Sequence, residues 1–116
     1  MNARKILSCL ALPLLMSVNA YAQDFPNKTV TIQVPWPAGG SVDVAVRALA
    51  AELKNQWPQQ SVVVENTVGA GGSLGTVKAL SAPPDGHTLI GSSQMEMIFA
   101  PLVYQSATYK PQDAKT

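Results

Sequence analysis

Three short glycine-containing segments carry the residues of this chain best able to bind a ligand. They are residues 38–41 (AGGS), 69–73 (GAGGS) and 91–94 (GSSQ). Glycine lets the backbone approach a ligand closely, and hydroxyl and amide side chains add hydrogen-bond donors. The first two segments precede predicted helices, whose first-turn N–H groups are unpaired and carry partial positive charge. Such groups bind anions without a cationic side chain, so the pattern favours a small carboxylate. The alternative is that the glycines only permit tight turns and the serines only cap helices.

The elements that must position these segments alternate between strand and helix. Short β-branched runs predict strands at residues 29–35, 61–65 and 87–90. Apolar residues spaced i, i+3, i+4, i+7, i+8 and i+11 from Val42 to Leu53 predict an amphipathic helix with Ser41 as its N-cap. Further helices are predicted at 73–80 and 94–103. The order βαβαβα predicts an α/β fold with a parallel three-stranded sheet, in which all three segments lie at the carboxyl ends of the strands.

Other kinds of chemistry fit the sequence poorly. The second segment would need glycine at position 74 to match the dinucleotide pattern, but Leu74 stands there, and no Gly-Lys-Ser/Thr follows any glycine run. His87 is the only histidine and no G-x-S-x-G occurs, so neither a metal site nor a catalytic serine is supported, and we expect no cofactor. The formal net charge of +1, without a basic cluster, disfavours nucleic acid. Asp43 and Arg47, four residues apart, are interpreted as a helical ion pair in preference to ligand contacts.

The first 22 residues have the features of a secretory signal peptide. Arg4 and Lys5 precede an apolar run over residues 6–18, and an A-x-A sequence ends at Ala22. A membrane anchor would need a longer apolar run. We therefore expect cleavage after Ala22, export to the periplasm and a mature chain without cysteine, because Cys9 is removed.

Three ordered motifs resemble those of the Bug family, the receptors of tripartite tricarboxylate transporters. VPWPAGGSVDVAVR resembles the first motif, VVVENTVGAGGSLGT the second and PPDGHTLIGSS the third. The resemblance covers nearly the whole chain after the signal peptide. Trp36 stands where the family usually has phenylalanine, and His87 where it usually has tyrosine.

The resemblance implies a periplasmic, non-enzymatic receptor with two lobes, in which a carboxylate is bound in the cleft and delivered to a membrane permease. Residues 23–116 would form the first part of lobe 1, a type II periplasmic-binding-protein lobe. The ligand-binding residues expected from the segments and the resemblance are Trp36, Ala38, Gly39, Gly40, Ser41, Asp43, Gly71, Gly72, Ser92, Ser93 and Gln94.

The chain is short for such a receptor. We expect a truncated product that lacks the second lobe, carries half of the cleft and binds weakly. Two alternatives remain open: a small periplasmic α/β hydrolase fragment that uses Ser41, Ser92 or Ser93, and an interaction module whose partner covers the sheet.

Overall fold

The computed structural model describes residues 24–114 and has an α/β fold. Its strands are β1 (Val30–Val34), β2 (Val62–Asn66) and β3 (Thr88–Ile90), and its helices are α1 (Ser41–Gln56), α2 (Ser73–Leu80) and α3 (Ala100–Val103). Short helical turns occur at Ala70–Gly72, Met95–Phe99 and Pro111–Asp113. The predicted signal peptide, residues 1–22, lies outside the described part of the chain. The predicted fold class is confirmed.

Strand β1 lies in the middle of the sheet and is the most buried element. The strand order is β2-β1-β3, and both neighbours pair with β1 in parallel. Val30 and Val34 have no exposed surface, and Ile32 is 2% exposed. A strand buried on both faces reads as a continuous apolar run, as VTIQV nearly does. The order reverses at β1, which in open α/β sheets is the place where ligands bind.

Helices α1 and α2 cover opposite faces of the sheet. Val46 and Ala50 of α1 form the main apolar core with Ile32 and Val34. On the other face, Lys78 of α2 forms an ion pair of 2.8 Å with Glu65 of β2. The apolar stripe predicted for α1 is thus confirmed at its centre, whereas Leu49 is 53% exposed. Leu49 lies beside β3, where an apolar groove of about 630 Å³ runs along the edge of the sheet.

Two details of the helices differ from the sequence prediction. The N-cap of α1 is Gly40, not Ser41, which is the first residue of the helix and makes no capping hydrogen bond. The third predicted helix divides into a π-helical turn, Met95–Phe99, and the short helix α3. Pro101 explains this division, because proline lacks an N–H group and its ring collides with the carbonyl four residues earlier in a regular α-helix.

The segment after Tyr104 shows no periodicity but forms a second apolar cluster. Ala107 and Tyr109 are buried together with Ala100, against Val77 and Leu80. The hydroxyl of Tyr109 donates a hydrogen bond to the carbonyl of Glu96. This irregular segment therefore holds the π-helical turn in place from outside the sheet.

Aromatic side chains pack against one another at the amino edge of the sheet. The ring of His87, only 8% exposed, lies 4.9 Å from the ring of Phe25, which meets Trp57 edge to face. Nearby, Lys28 and Asp85 form an ion pair of 2.7 Å. His87 directly precedes β3 and is buried at the end of the strand. Within residues 24–114 no helix combines the length and apolar character needed to cross a membrane.

Candidate functional site

The three glycine-containing segments emerge at the same edge of the sheet. Residues 35–40 follow β1, residues 67–72 follow β2 and residues 91–94 follow β3. Because the strands are parallel, their carboxyl ends share one edge. We call this edge the rim, and the segments loop 1 (35–40), loop 2 (67–72) and loop 3 (91–94). Two buried carboxyl groups, from Asp43 and Glu96, connect these loops.

Asp43 lies beneath loop 1 and accepts hydrogen bonds from three directions. Its Oδ2 atom accepts from the N–H of Gly39 and from Nε of Arg47, each at 2.8 Å. Its Oδ1 atom accepts from Nδ2 of Asn66 at 2.9 Å, and the same amide also donates to the carbonyl of Trp36. The side chain is 2% exposed. Asp43 therefore joins loop 1 to the end of β2, and the helical pairing with Arg47 is confirmed.

These contacts hold the pKa of the Asp43 carboxyl well below its usual range. The hydrogen bond from Arg47 has the largest effect, followed by those from the Gly39 N–H and from Asn66. A lowered pKa means that the folded state binds this proton more weakly than the unfolded chain does. The resulting stability is present above the ordinary carboxyl pKa of about 3.9 and is lost as the pH falls below it.

Replacing Asp43 by Asn should destabilise the protein and reduce its sensitivity to acid. If the amide oxygen accepts from Gly39 and Arg47, the NH2 group faces the donor of Asn66, and the ion pair with Arg47 is lost. We therefore expect Tm at pH 7 to fall by more than about 4 °C for a domain of this size. The difference from the wild type should shrink at pH 3, where the wild type has lost part of the same contribution. Circular dichroism melts at pH 7, 4 and 3 measure both effects. Asp24→Asn, at an exposed position, is the control, and an equal loss of stability in acid for both variants would contradict the assignment.

Glu96 lies beneath loop 3 and has no exposed surface. Its Oε1 atom accepts from the indole N–H of Trp36 at 2.9 Å and from the N–H of Ser93, and its Oε2 atom accepts from the Ser93 hydroxyl at 2.6 Å. Sequence reasoning missed this residue. The one signal in the sequence was a glutamate among the apolar residues 95–99 (MEMIF), because an acidic side chain in such a run is unusual unless it is paired.

Loop 2 packs against Glu96 through Gly72 and against Tyr104 through Gly71. Gly72 has a φ of +88°, and a Cβ there would lie 2.8 Å from the Cβ of Glu96. A Cβ on Gly71, with φ +62°, would lie 2.4 Å from the ring of Tyr104. Both positions therefore require glycine for backbone conformation and close packing. Gly72 is buried and Gly71 half-buried, so packing accounts for these two glycines without a ligand.

Several donors at the rim are already paired inside the protein. The N–H of Gly39 donates to Asp43, the N–H of Gly40 to the carbonyl of Pro37, and that of Gly72 to the carbonyl of Gly69. Both donors of Ser93 are directed to Glu96. The expectation that the amides of all three segments face a ligand is therefore wrong for these groups, because buried carboxyl and carbonyl oxygens accept from them.

The first turn of α1 keeps its donors available. The first helical hydrogen bond is donated by Val44 to Gly40, and the N–H groups of Ser41 and Val42 have no acceptor among residues 24–114. Ala38, Gly39 and Ser41 are exposed, and Gly40 and Trp36 are half-buried. In loop 3, Ser92 is half-buried, with its hydroxyl donating to the carbonyl of Ser93 at 3.4 Å, and Gln94 is exposed. The rim thus carries unpaired helix-terminal amides in the first turn of α1 and two polar side chains in loop 3.

The geometry does not bring a base to the serines of the rim. His87 lies at the opposite end of β3, about 13 Å along the strand from Gly91. Within the described residues, no group of three histidine, cysteine or acidic side chains could hold a metal ion. Neither a serine hydrolase nor a metal centre is therefore supported at this rim.

Solved structures of known proteins resemble this chain in fold and in sequence. The structure resembles a solved structure of the periplasmic binding protein BugD, with 39% identity and a TM-score of 0.53, over 57% of this chain and 22% of that one. It also resembles MatC from Rhodopseudomonas palustris with bound malate, with 35% identity and a TM-score of 0.62, over 75% of this chain and 29% of that one. These neighbours identify the fold as that of periplasmic binding proteins.

The sequence comparisons identify the family. Residues 45–116 match the tripartite tricarboxylate transporter family receptor. A UPF0065 protein of Agrobacterium vitis, encoded in the TAR-I ttuE-ttuC' intergenic region, is 43% identical over 96% of this chain and 32% of its own length. The chain belongs to the tripartite tricarboxylate transporter receptor family, as the three motifs predicted. It spans about a third of the length of this relative.

Proposed function

We propose that this chain binds a small carboxylate at the rim and contributes the first-lobe side of a receptor cleft. The observation that supports this most directly is the pair of unaccepted N–H groups, Ser41 and Val42, at the start of a helix of 16 residues. The helix macrodipole favours an anion at this position, and one carboxylate can accept from both amides. Ser92 and Gln94 supply further hydrogen-bonding groups from loop 3.

The similarity to MatC with bound malate supports a dicarboxylate as the first ligand to test. In this proposal the chain has a transport role and no catalytic one, because the rim holds donors without a nucleophile–base pair. Export with removal of residues 1–22, and delivery of the ligand to a tripartite tricarboxylate permease, are part of the same proposal. Residues 23–116 are the segment of the receptor that forms this side of the cleft.

A titration of the ¹⁵N-labelled chain with malate tests the proposal and detects weak binding. We expect concentration-dependent shifts of the amide resonances of residues 38–42 and 92–94. The amides of Phe25 and His87, at the amino edge, should not move. The diamide of malic acid, which has the same shape without charge, serves as the control ligand. Absence of shifts with malate, or equal shifts with the diamide, would contradict an anion site at the rim.

A further inference from the structure

The side chain of Glu96 contacts all three loops of the rim. It accepts from Trp36 of loop 1 and from Ser93 of loop 3, and its Cβ lies against Gly72 of loop 2. Among residues 24–114 no lysine, arginine or histidine forms an ion pair with it. The hydrogen bonds to its carboxyl group therefore come only from neutral donors in loop 1 and loop 3.

A buried carboxyl group is costly unless it is fully hydrogen-bonded, so its position depends on its three donors. Conversely, each donor is fixed in direction by the carboxyl group. The backbone of Glu96 is held independently, because the Tyr109 hydroxyl donates to its carbonyl oxygen. Glu96 also lies within the π-helical turn, a form of helix that is rare and frequently occurs at functional sites. The side chain is thus anchored on one side and directed towards the loops on the other.

We propose that Glu96 is a positioning residue for the carboxylate site, which fixes loop 1 and loop 3 at the separation that the ligand requires. This inference rests on the function proposed above. Having no exposed surface, Glu96 does not touch the ligand; it acts through Trp36 and Ser93. The half-buried indole of Trp36 and the neighbouring Ser92 are held at the rim by this connection.

Three variants separate this role from a general structural one. Glu96→Ala removes every acceptor, Glu96→Gln keeps a carbonyl oxygen for the indole N–H, and Glu52→Gln changes an exposed glutamate of α1 as a control. Two readouts are needed: the indole ¹H–¹⁵N resonance of Trp36, distinguished from that of Trp57 by Trp57→Phe, and the affinity for malate. Glu96→Ala should move the Trp36 indole resonance, leave that of Trp57 unchanged and weaken malate binding about tenfold or more. Glu96→Gln should have a smaller effect on both, and Glu52→Gln none.

The outcomes distinguish this inference from the proposed function. If the wild type does not bind malate, the proposed function fails, whereas the Trp36 resonance still shows whether Glu96 holds loop 1. If the wild type binds malate and Glu96→Ala lowers only Tm, with affinity and indole resonance unchanged, the positioning role is wrong. If Glu96→Ala does not fold, Trp36→Phe removes the indole donor alone. The positioning role then requires the Ser93 amide resonance to move, because Ser93 shares the Oε1 atom; an unchanged Ser93 resonance would overturn it.

Discussion

Replacing Gly75 by Ala is expected to destabilise the protein by about 1–3 kcal/mol, the usual cost of inserting a methyl group into a well-packed interior. Gly75 lies in α2, where helix propensity alone would predict stabilisation of about 1 kcal/mol. The structure predicts a loss of stability instead. An added Cβ would lie 2.6 Å from the carbonyl oxygen of Thr67 and 2.8 Å from both Cα and Cβ of Pro35. These are backbone and ring atoms, which cannot move aside as a flexible side chain can.

Urea denaturation of the wild type and Gly75→Ala measures this effect. Ala51→Gly, at an exposed position in α1, is the matched control because it reports helix propensity without a steric change; it should cost about 1 kcal/mol. If propensity dominated at both sites, the reverse change at Gly75 would stabilise the protein. A Gly75→Ala variant as stable as the wild type, or more stable, would show that α2 does not lie as close to loop 1 and loop 2 as described.

Some parts of this fold were predictable from the sequence, whereas others, such as the need for Gly75, depend on tertiary contacts. Strand and helix order follow from local period and β-branched composition, and the centre of the α1 stripe, Val46 and Ala50, is buried as predicted. Gly75 was visible as part of a family-like motif, but its reason is tertiary: the backbones of α2 and loop 2 meet there. Ala107 and Tyr109 gave no signal, because they are buried in an irregular segment whose packing depends on α2 rather than on any local repeat.

The sequence predicted the shared edge of the three segments, but not which of their hydrogen-bond donors are paired inside the protein. The segments do lie at the carboxyl ends of three parallel strands, as predicted. Local sequence does not show whether a given amide faces a ligand or a buried side chain. The N–H of Gly39 is directed to Asp43, four residues along the chain, and the donors of Ser93 are directed to Glu96. The carboxyl groups of Asp43 and Glu96 thus accept hydrogen bonds that the sequence pattern would have assigned to a bound anion. The assignment of the remaining rim residues to ligand binding stays a prediction.

The largest expected effect on ligand binding comes from removing one amide at the start of α1. Ser41→Pro deletes the N–H group of Ser41, and proline is well accepted at the first position of a helix. The preceding residue must then be extended, and Gly40 already has φ −71° and ψ 166°. The helix should therefore persist while one of the unaccepted donors of its first turn disappears. A hydrogen bond to a charged group is worth about 1.5–3 kcal/mol, so the affinity for malate should fall about tenfold or more.

Ser41→Ala isolates the contribution of the hydroxyl, because it keeps the amide and the helix. We expect Ser41→Pro to bind malate more weakly than Ser41→Ala in the same NMR titration, while both retain the wild-type circular dichroism spectrum. The amide of Val42 should still shift on addition of malate in Ser41→Ala, because its donor remains. If the proline and alanine variants bind equally well, the backbone amide of residue 41 does not hold the ligand, and binding at the rim would have to depend on other donors, such as the amide of Val42 and the side chains of loop 3.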